Sequence, residues 1–161
     1  MALSFNTRFV APGGEPAPAT VDGGLWPLLV VKFGRTGTLS DLDAYLEERR
    51  VWLERREPHV CIIDAREVHM PSTQLRQRYI DWLSAHEALL RQWTLGTAYI
   101  IQSPAVRMMM SVIRHFAPLT TPFVVTASLQ PAAVWAAERL QEAGFACAAT
   151  RIRACYAVPS S

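Results

Sequence analysis

Lysine is nearly missing from this chain. Of its 16 basic residues only Lys32 is a lysine, and the arginines are scattered among glutamates. A net charge of +2 spread in that way argues for neither a nucleic-acid nor a membrane-surface partner. Cysteine is scarce too. Cys61, Cys147 and Cys155 make an odd count with no metal-type spacing, which suits a reduced, cytoplasmic protein. No apolar run approaches the roughly eighteen residues of a membrane span. The opening MALSFNTRFV lacks the charged-then-apolar order of a signal peptide. The glycine pairs Gly13-Gly14 and Gly23-Gly24 form neither a G-x-G-x-x-G nor a P-loop, so nucleotide binding has no support. No cofactor and no metal are expected.

What is present is the composition of one globular domain. The chain has 161 residues, half of them apolar and 19% charged, enough to bury a real core and far from a disordered composition. The clearest stretch is 58–75, PHVCIIDAREVHMPSTQL. It reads as a short buried strand ending on Asp64, a tight loop, and the start of a long helix.

Ser4 to Val10 alternates aromatic and β-branched residues and predicts a first strand. Ala11 to Gly24, rich in Pro, Gly and Ala, predicts a mobile loop. Trp26 to Phe33 (WPLLVVKF) is a continuous apolar run, as in a strand buried on both faces. A helix then starts with Ser40 as N-cap and Asp43 three residues on. It carries Leu42, Tyr45, Leu46 and Leu53 on one side and the pairs Glu47–Arg50 and Arg50–Glu54 on the other. After the strand Val60 to Asp64, a second helix runs from Thr73 to Trp93, with Leu75, Tyr79, Trp82, Leu83, His86, Leu90 and Trp93 on one face. Gly96 ends it, and Thr97 to Gln102 is a further strand. Pro104 opens a third helix to Phe116. Pro122 to Thr126 is the last core strand. Ser128 caps a fourth helix over Pro131 to Glu142, anchored by Val134, Trp135 and Leu140 and ended by Gly144. The segment from Phe145 to Val158 favours neither helix nor strand.

Alternating strands and helices with apolar strands imply an α/β domain, with a mixed or mostly parallel sheet of about five strands and about four covering helices. The domain is expected over 25–144. Residues 1–24 form an N-terminal strand and loop, and 145–161 a tail. Sites in such sheets lie beyond the carboxyl ends of the strands, which puts the loop after Asp64 first.

Asp64, His69 and Ser72 supply the residue types of a catalytic triad, but they crowd one strand–loop–helix junction and no G-x-S-x-G surrounds Ser72. Capping roles for Asp64 and for Ser72 or Thr73 are the simpler account. His86, on an apolar helix face with no ligand partner at useful spacing, reads as a packed histidine. Arg151 and Arg153 near Tyr156 read as solvated surface. In the third helix, Val106, Met108, Met109, Met110, Val112, Ile113 and Phe116 fill about half the circumference. That arc is either wedged between sheet and helix or partly free to meet a partner or an apolar ligand.

The segments WPLLVVKF and TLSDLDAYLEERRVWLERREP, then CIIDAR, and later SLQPAAVWAAERLQEAG stand in an order that resembles the STAS domain family, the anti-sigma-factor antagonist-like fold, and within it the SpoIIAA-like group. The resemblance covers 26–144 and rests on scaffold rather than on a catalytic signature. In phosphorylated STAS proteins a strand-end Asp leads to an Asp-Ser-x-Gly type motif whose hydroxyl is modified by a kinase. Asp64 matches the strand-end Asp, and Ser72 and Thr73 the hydroxyls. Pro71 and Gln74 stand where that motif has Asp and Gly. The resemblance thus implies a non-enzymatic, cytoplasmic regulatory domain that binds another protein, a kinase or regulatory factor, or a second copy of itself. Its contact loop would comprise Asp64, Arg66, His69, Met70 and Pro71, with phosphorylation at Ser72 or Thr73. The alternative is a carrier of a small apolar ligand or lipid, since the SpoIIAA-like group also resembles SEC14-like domains. Met108, Met109, Met110, Ile113 and Phe116 would then make the apolar contact.

Overall fold

The structure, a computed structural model, describes residues 19–35, 37–118 and 120–156. The expected strand over 4–10 lies outside them. Five strands form one mixed sheet in sequential order: β1 (Ala19–Leu25), β2 (Leu28–Phe33), β3 (His59–Asp64), β4 (Thr94–Ile100) and β5 (Phe123–Thr126). β1 runs antiparallel to β2, and β2 to β5 are mutually parallel. Six helices cover the sheet: α1 (Leu39–Leu53), α2 (Thr73–Ala85), α3 (Glu87–Trp93), α4 (Pro104–Phe116), α5 (Leu129–Glu142) and α6 (Ala146–Cys155).

The layering follows from handedness. Parallel strands laid down in one direction, each joined by a right-handed crossover, send every crossover helix to the same side. Accordingly α1 to α4 pack on one face against Val31, Ile63, Tyr99 and Ile101. The opposite face, with Leu28, Val60, Ile62, Ala98 and Ile100, is left for α5 and α6. Residues two apart on a strand share a face, so the odd-numbered positions of β3 and β4 look toward α1–α4 and the even ones toward α5. β3 is central and buried along its whole length.

Several local expectations need correction. Ala19 to Gly24 is not loop but most of β1, an edge strand whose alternate residues are half-buried. Its glycines have a packing reason, because a Cβ on Gly23 would come within 2.2 Å of the Trp52 indole. Trp26 and Pro27 form the turn before β2 rather than its start. The α1 N-cap is Thr38, not Ser40: Thr38 Oγ1 accepts from Asp41 N at 3.2 Å, and Asp41 Oδ2 accepts from Thr38 N at 2.7 Å. That reciprocal pair satisfies two orphan donors. The long second helix is two helices. At the break the His86 ring donates from Nδ1 to Trp82 O at 2.8 Å and stacks on the Trp82 ring at 4.4 Å. Gly96 ends nothing. It lies inside β4, where a Cβ would meet Trp135 at 2.5 Å.

α5 is anchored less by Val134 and Trp135, which are half-buried, than by Ala132, Ala133, Ala136 and Ala137, all wholly buried with Leu140. Small residues bring that helix close to the sheet. Gly144 follows it at φ +93. Most of the expected tail is α6, which packs Ala148, Ala149 and Ile152 beside α5. No helix among the described residues is long and apolar enough to cross a membrane.

Candidate ligand pocket

Three strands end side by side at Phe33, Asp64 and Ile100. Beyond those ends the chain must turn outward into α1, α2 and α4, and between these helices lies a cavity of about 420 Å³. Ile63 and Tyr99 come from the strands, Ala65 from the loop after β3, Leu42 and Tyr45 from α1, and Leu75 and Tyr79 from α2. The fourth wall is α4, through Val106, Met109, Met110 and Ile113. The volume falls in the range of roughly 300–1,000 Å³ typical of small-molecule sites, which are likewise mostly apolar with a few polar groups.

α4 keeps its expected limits and presents a Ser103 cap, whose Oγ accepts from Val106 N at 3.4 Å, with proline in its first turn. Its apolar arc divides. Val106, Met109 and Ile113 are buried, Met110 is half-buried, and Met108 and Phe116 stand 71% and 66% exposed. Met109, Met110 and Ile113 line the pocket, whereas Met108 and Phe116 do not.

The loop after β3 divides as well. Asp64 is buried and held by Arg66, whose Nη2 and Nε reach its two oxygens at 2.7 and 3.0 Å while Arg66 N adds a third bond at 3.1 Å. Burial pushes the Asp64 carboxyl up, but the bonds from Arg66 together outweigh it and leave the group below the ordinary carboxylate range. Asp64 and Arg66 lock the strand end and take no part in the cavity lining. His69, Met70, Pro71 and Ser72 do line it. Ser72 is exposed and caps α2, its Oγ accepting from Leu75 N at 3.3 Å; Thr73 is the first residue of that helix. The loop and the methionine helix, read as separate surfaces in the sequence, are two walls of one cavity.

Besides exposed or half-buried polar groups such as Arg35, Asp41, His69 and Arg76, the pocket holds a group of phenols. Tyr45, Tyr79 and Tyr99 line it together, and burial pushes Tyr45 up to about 12. Tyr79 and Tyr99 are raised by burial as well, the nearby Arg114 charge partly offsetting it at Tyr99. Arg114 lies over the Phe123 ring, 3.4 Å from its centroid.

Behind the phenols is Arg49, only 4% exposed. Among the described residues no carboxylate lies within ion-pair distance of it, and its Nη1 has no hydrogen-bond partner. It borders a second cavity of about 20 Å³ with Thr94, Thr97 and Thr121, and shares Ile63, Tyr79 and Tyr99 with the larger one as a dividing wall. Its burial opposes the charged form, but Cys61, Tyr45 and Tyr79 beside it hold the guanidinium charged. Cys61 answers in kind. Burial alone would raise its thiol, yet the Arg49 charge and the neighbouring His59 ring bring it down to about 7.

Sequence reasoning overlooked Arg49, although a signal was there. Tyr45, Leu46, Arg49 and Leu53 fall at i, i+1, i+4 and i+8, so an arginine occupies the apolar face of α1. A basic residue at core spacing with no acidic partner in register marks a site worth testing.

Comparison with protein-family models, with curated proteins and with solved structures finds no match to this chain.

Proposed function

We propose that this chain is a non-enzymatic, STAS-like domain that binds a small apolar or amphipathic molecule in the cavity between α1, α2 and α4. One observation carries the reading: a cavity of about 420 Å³ walled mainly by apolar side chains at the carboxyl ends of parallel strands. A domain that worked only through its outer surface would have no need to keep Met109, Met110, Ile113, Leu42 and Leu75 around such a space. Close packing of that region would gain roughly 25 cal/mol for each Å² of apolar surface removed from water. The order strand, strand, helix, strand, two helices, strand, helix, strand, two helices supports the STAS-like part of the reading.

The test is native mass spectrometry of the protein purified from its own host, followed by solvent extraction of whatever travels with it. The expected result is a bound apolar molecule that is lost in Met109→Trp, a change that fills the cavity from α4. A wild-type protein that carries nothing and takes up no neutral fluorescent naphthylamine would overturn the reading.

A second reading, docking of another protein at the rim, is favoured by a separate observation. Met70, Met108 and Phe116 are 56%, 71% and 66% exposed and stand on the loop and the helix that flank the cavity. Apolar side chains so placed suit a partner surface. Phosphorylation of Ser72 belongs to this reading. A phosphate there would sit at the N-terminus of α2, where the helix dipole favours negative charge. Phosphopeptide mass spectrometry tests it; unmodified Ser72 and Thr73 in cells where the partner is bound would count against it.

A further inference from the structure

We infer that the pocket's ligand is an amphiphile with a carboxylate head, bound with that head on the Tyr45–Tyr79–Tyr99 floor and its apolar body along Met109, Met110 and Ile113. The inference rests on the ligand-binding reading above and adds the chemical class of the ligand and its direction in the pocket.

The argument begins with hydrogen-bond capacity. Tyr45, Tyr79 and Tyr99 all line the cavity, and burial keeps each phenol protonated. Each therefore brings an O–H donor to the floor. A carboxylate, which accepts at two oxygens, matches such a set. An alcohol or ether matches it less well.

Charge supplies the second argument. Arg49 is nine-tenths buried, stands behind Tyr45 and Tyr79, and has an unpartnered Nη1. A buried cation without an anion is costly, and it raises the potential at the tyrosine floor in a region of low dielectric. The charged and titratable groups that face Arg49 are Cys61 and the three phenols Tyr45, Tyr79 and Tyr99, with His59 beside Cys61. Among the groups there that can carry negative charge only Cys61 ionises near neutrality, and below about pH 7 its thiol is neutral. Under those conditions a ligand carboxylate is the anion available to balance Arg49. The basic groups at the mouth, Arg35 and Arg76 with His69, offer the opposite orientation, head outward. They are exposed or half-buried, so water already solvates them. Arg49 has no such alternative.

The experiment displaces a neutral naphthylamine probe from the full chain at about pH 6, with decanoate and decanol as competitors. They share a chain length and differ in head charge. Wild type should prefer decanoate by about tenfold or more. Arg49→Met should erase the preference while probe and decanol bind as before, and Arg49→Lys should keep most of it. Replacing a buried charge by a hydrophobe of similar volume is often neutral for folding or stabilising, and the wild-type comparison needs no variant. Equal displacement by decanoate and decanol in wild type overturns the inference and leaves the pocket standing. A preference lost in Arg76→Gln but kept in Arg49→Met puts the carboxylate at the mouth and overturns it equally. Failure of the neutral probe itself to bind removes the pocket reading and the inference together.

Discussion

Replacing Cys61 by alanine should flatten one limb of the stability–pH curve. Cys61 is wholly buried between Arg49 and His59 and titrates at about 7, against 9.0 for the free thiol. Its folded-state pKa is depressed, so the stabilisation is complete above the unfolded value and is lost as pH falls through the folded one. Between about pH 7 and 9 the unfolded chain holds a proton that the folded chain has released, and stability rises with pH across that window. Two units at 1.36 kcal/mol each set the contribution at no more than about 3 kcal/mol. Urea denaturation of wild type and Cys61→Ala at several values from about pH 6 to 9 would measure it. At the acid end the two proteins should differ only by the small cavity left behind, about 1 kcal/mol. The gap should then widen steadily toward pH 9, and thiolate absorbance of the folded wild type should rise over the same interval. A gap that stays constant across the range would refute the reasoning, since it would mean that Arg49 holds no thiolate in the folded protein.

Four other outcomes follow from the geometry. Thr38→Ala should lower stability by about 1 kcal/mol in chemical denaturation through loss of the capping box, while Ser40→Ala two residues on should be nearly silent. Gly96→Val should destabilise by roughly 1–3 kcal/mol, because a Cβ there lies 2.5 Å from Trp135 and 3.3 Å from the Pro122 carbonyl oxygen; calorimetry would register it. Asp64→Asn should remove part of the acid-side loss of stability. The depressed Asp64 carboxyl contributes above its unfolded pKa and loses that contribution as pH falls through the folded one, which an acid titration followed by circular dichroism would detect. Met109→Trp should abolish uptake of a neutral probe without lowering the melting temperature, since the indole enters open volume rather than a filled core.

The α/β class and the central strand were legible because β3 is an unbroken apolar run ending on a charged residue, and no helix period fits it. α4 was legible to the residue, since Ser103 and Pro104 mark its start by chemistry that does not depend on the rest of the fold. β1 was hidden because Thr20 to Leu25 contains two glycines, and composition pointed to a loop. Gly23 is there for the indole of Trp52, far away in sequence, and no local pattern carries that information. The break at His86 was hidden for a related reason. The apolar face continues through it, and only the backbone turn at His86, whose ring bonds to Trp82 O, interrupts the helix. The pocket was half legible. Its loop and its methionine helix stood out separately, but that they face each other follows from two crossovers landing on the same side of the sheet.

That shared location joins the two functional readings. Ser72 caps α2 and lines the same cavity as Met109, so a phosphate on it would bring nearly two negative charges to the mouth of the pocket. Arg76, one turn into α2, is the cation on hand to meet them. A ligand with a carboxylate head would feel that phosphate as repulsion while it entered, and much less once its head had reached the floor near Arg49. Phosphorylation would then slow entry more than it weakened binding. Conversely, a ligand that filled the space under Met70 and Pro71 would hold the loop in one position and change how Ser72 is offered to a modifying enzyme. Linkage requires the two effects on equilibrium binding to be equal in size. On the proposed function, protein docking at the rim and ligand binding in the cavity would be the outer and inner halves of one regulated site.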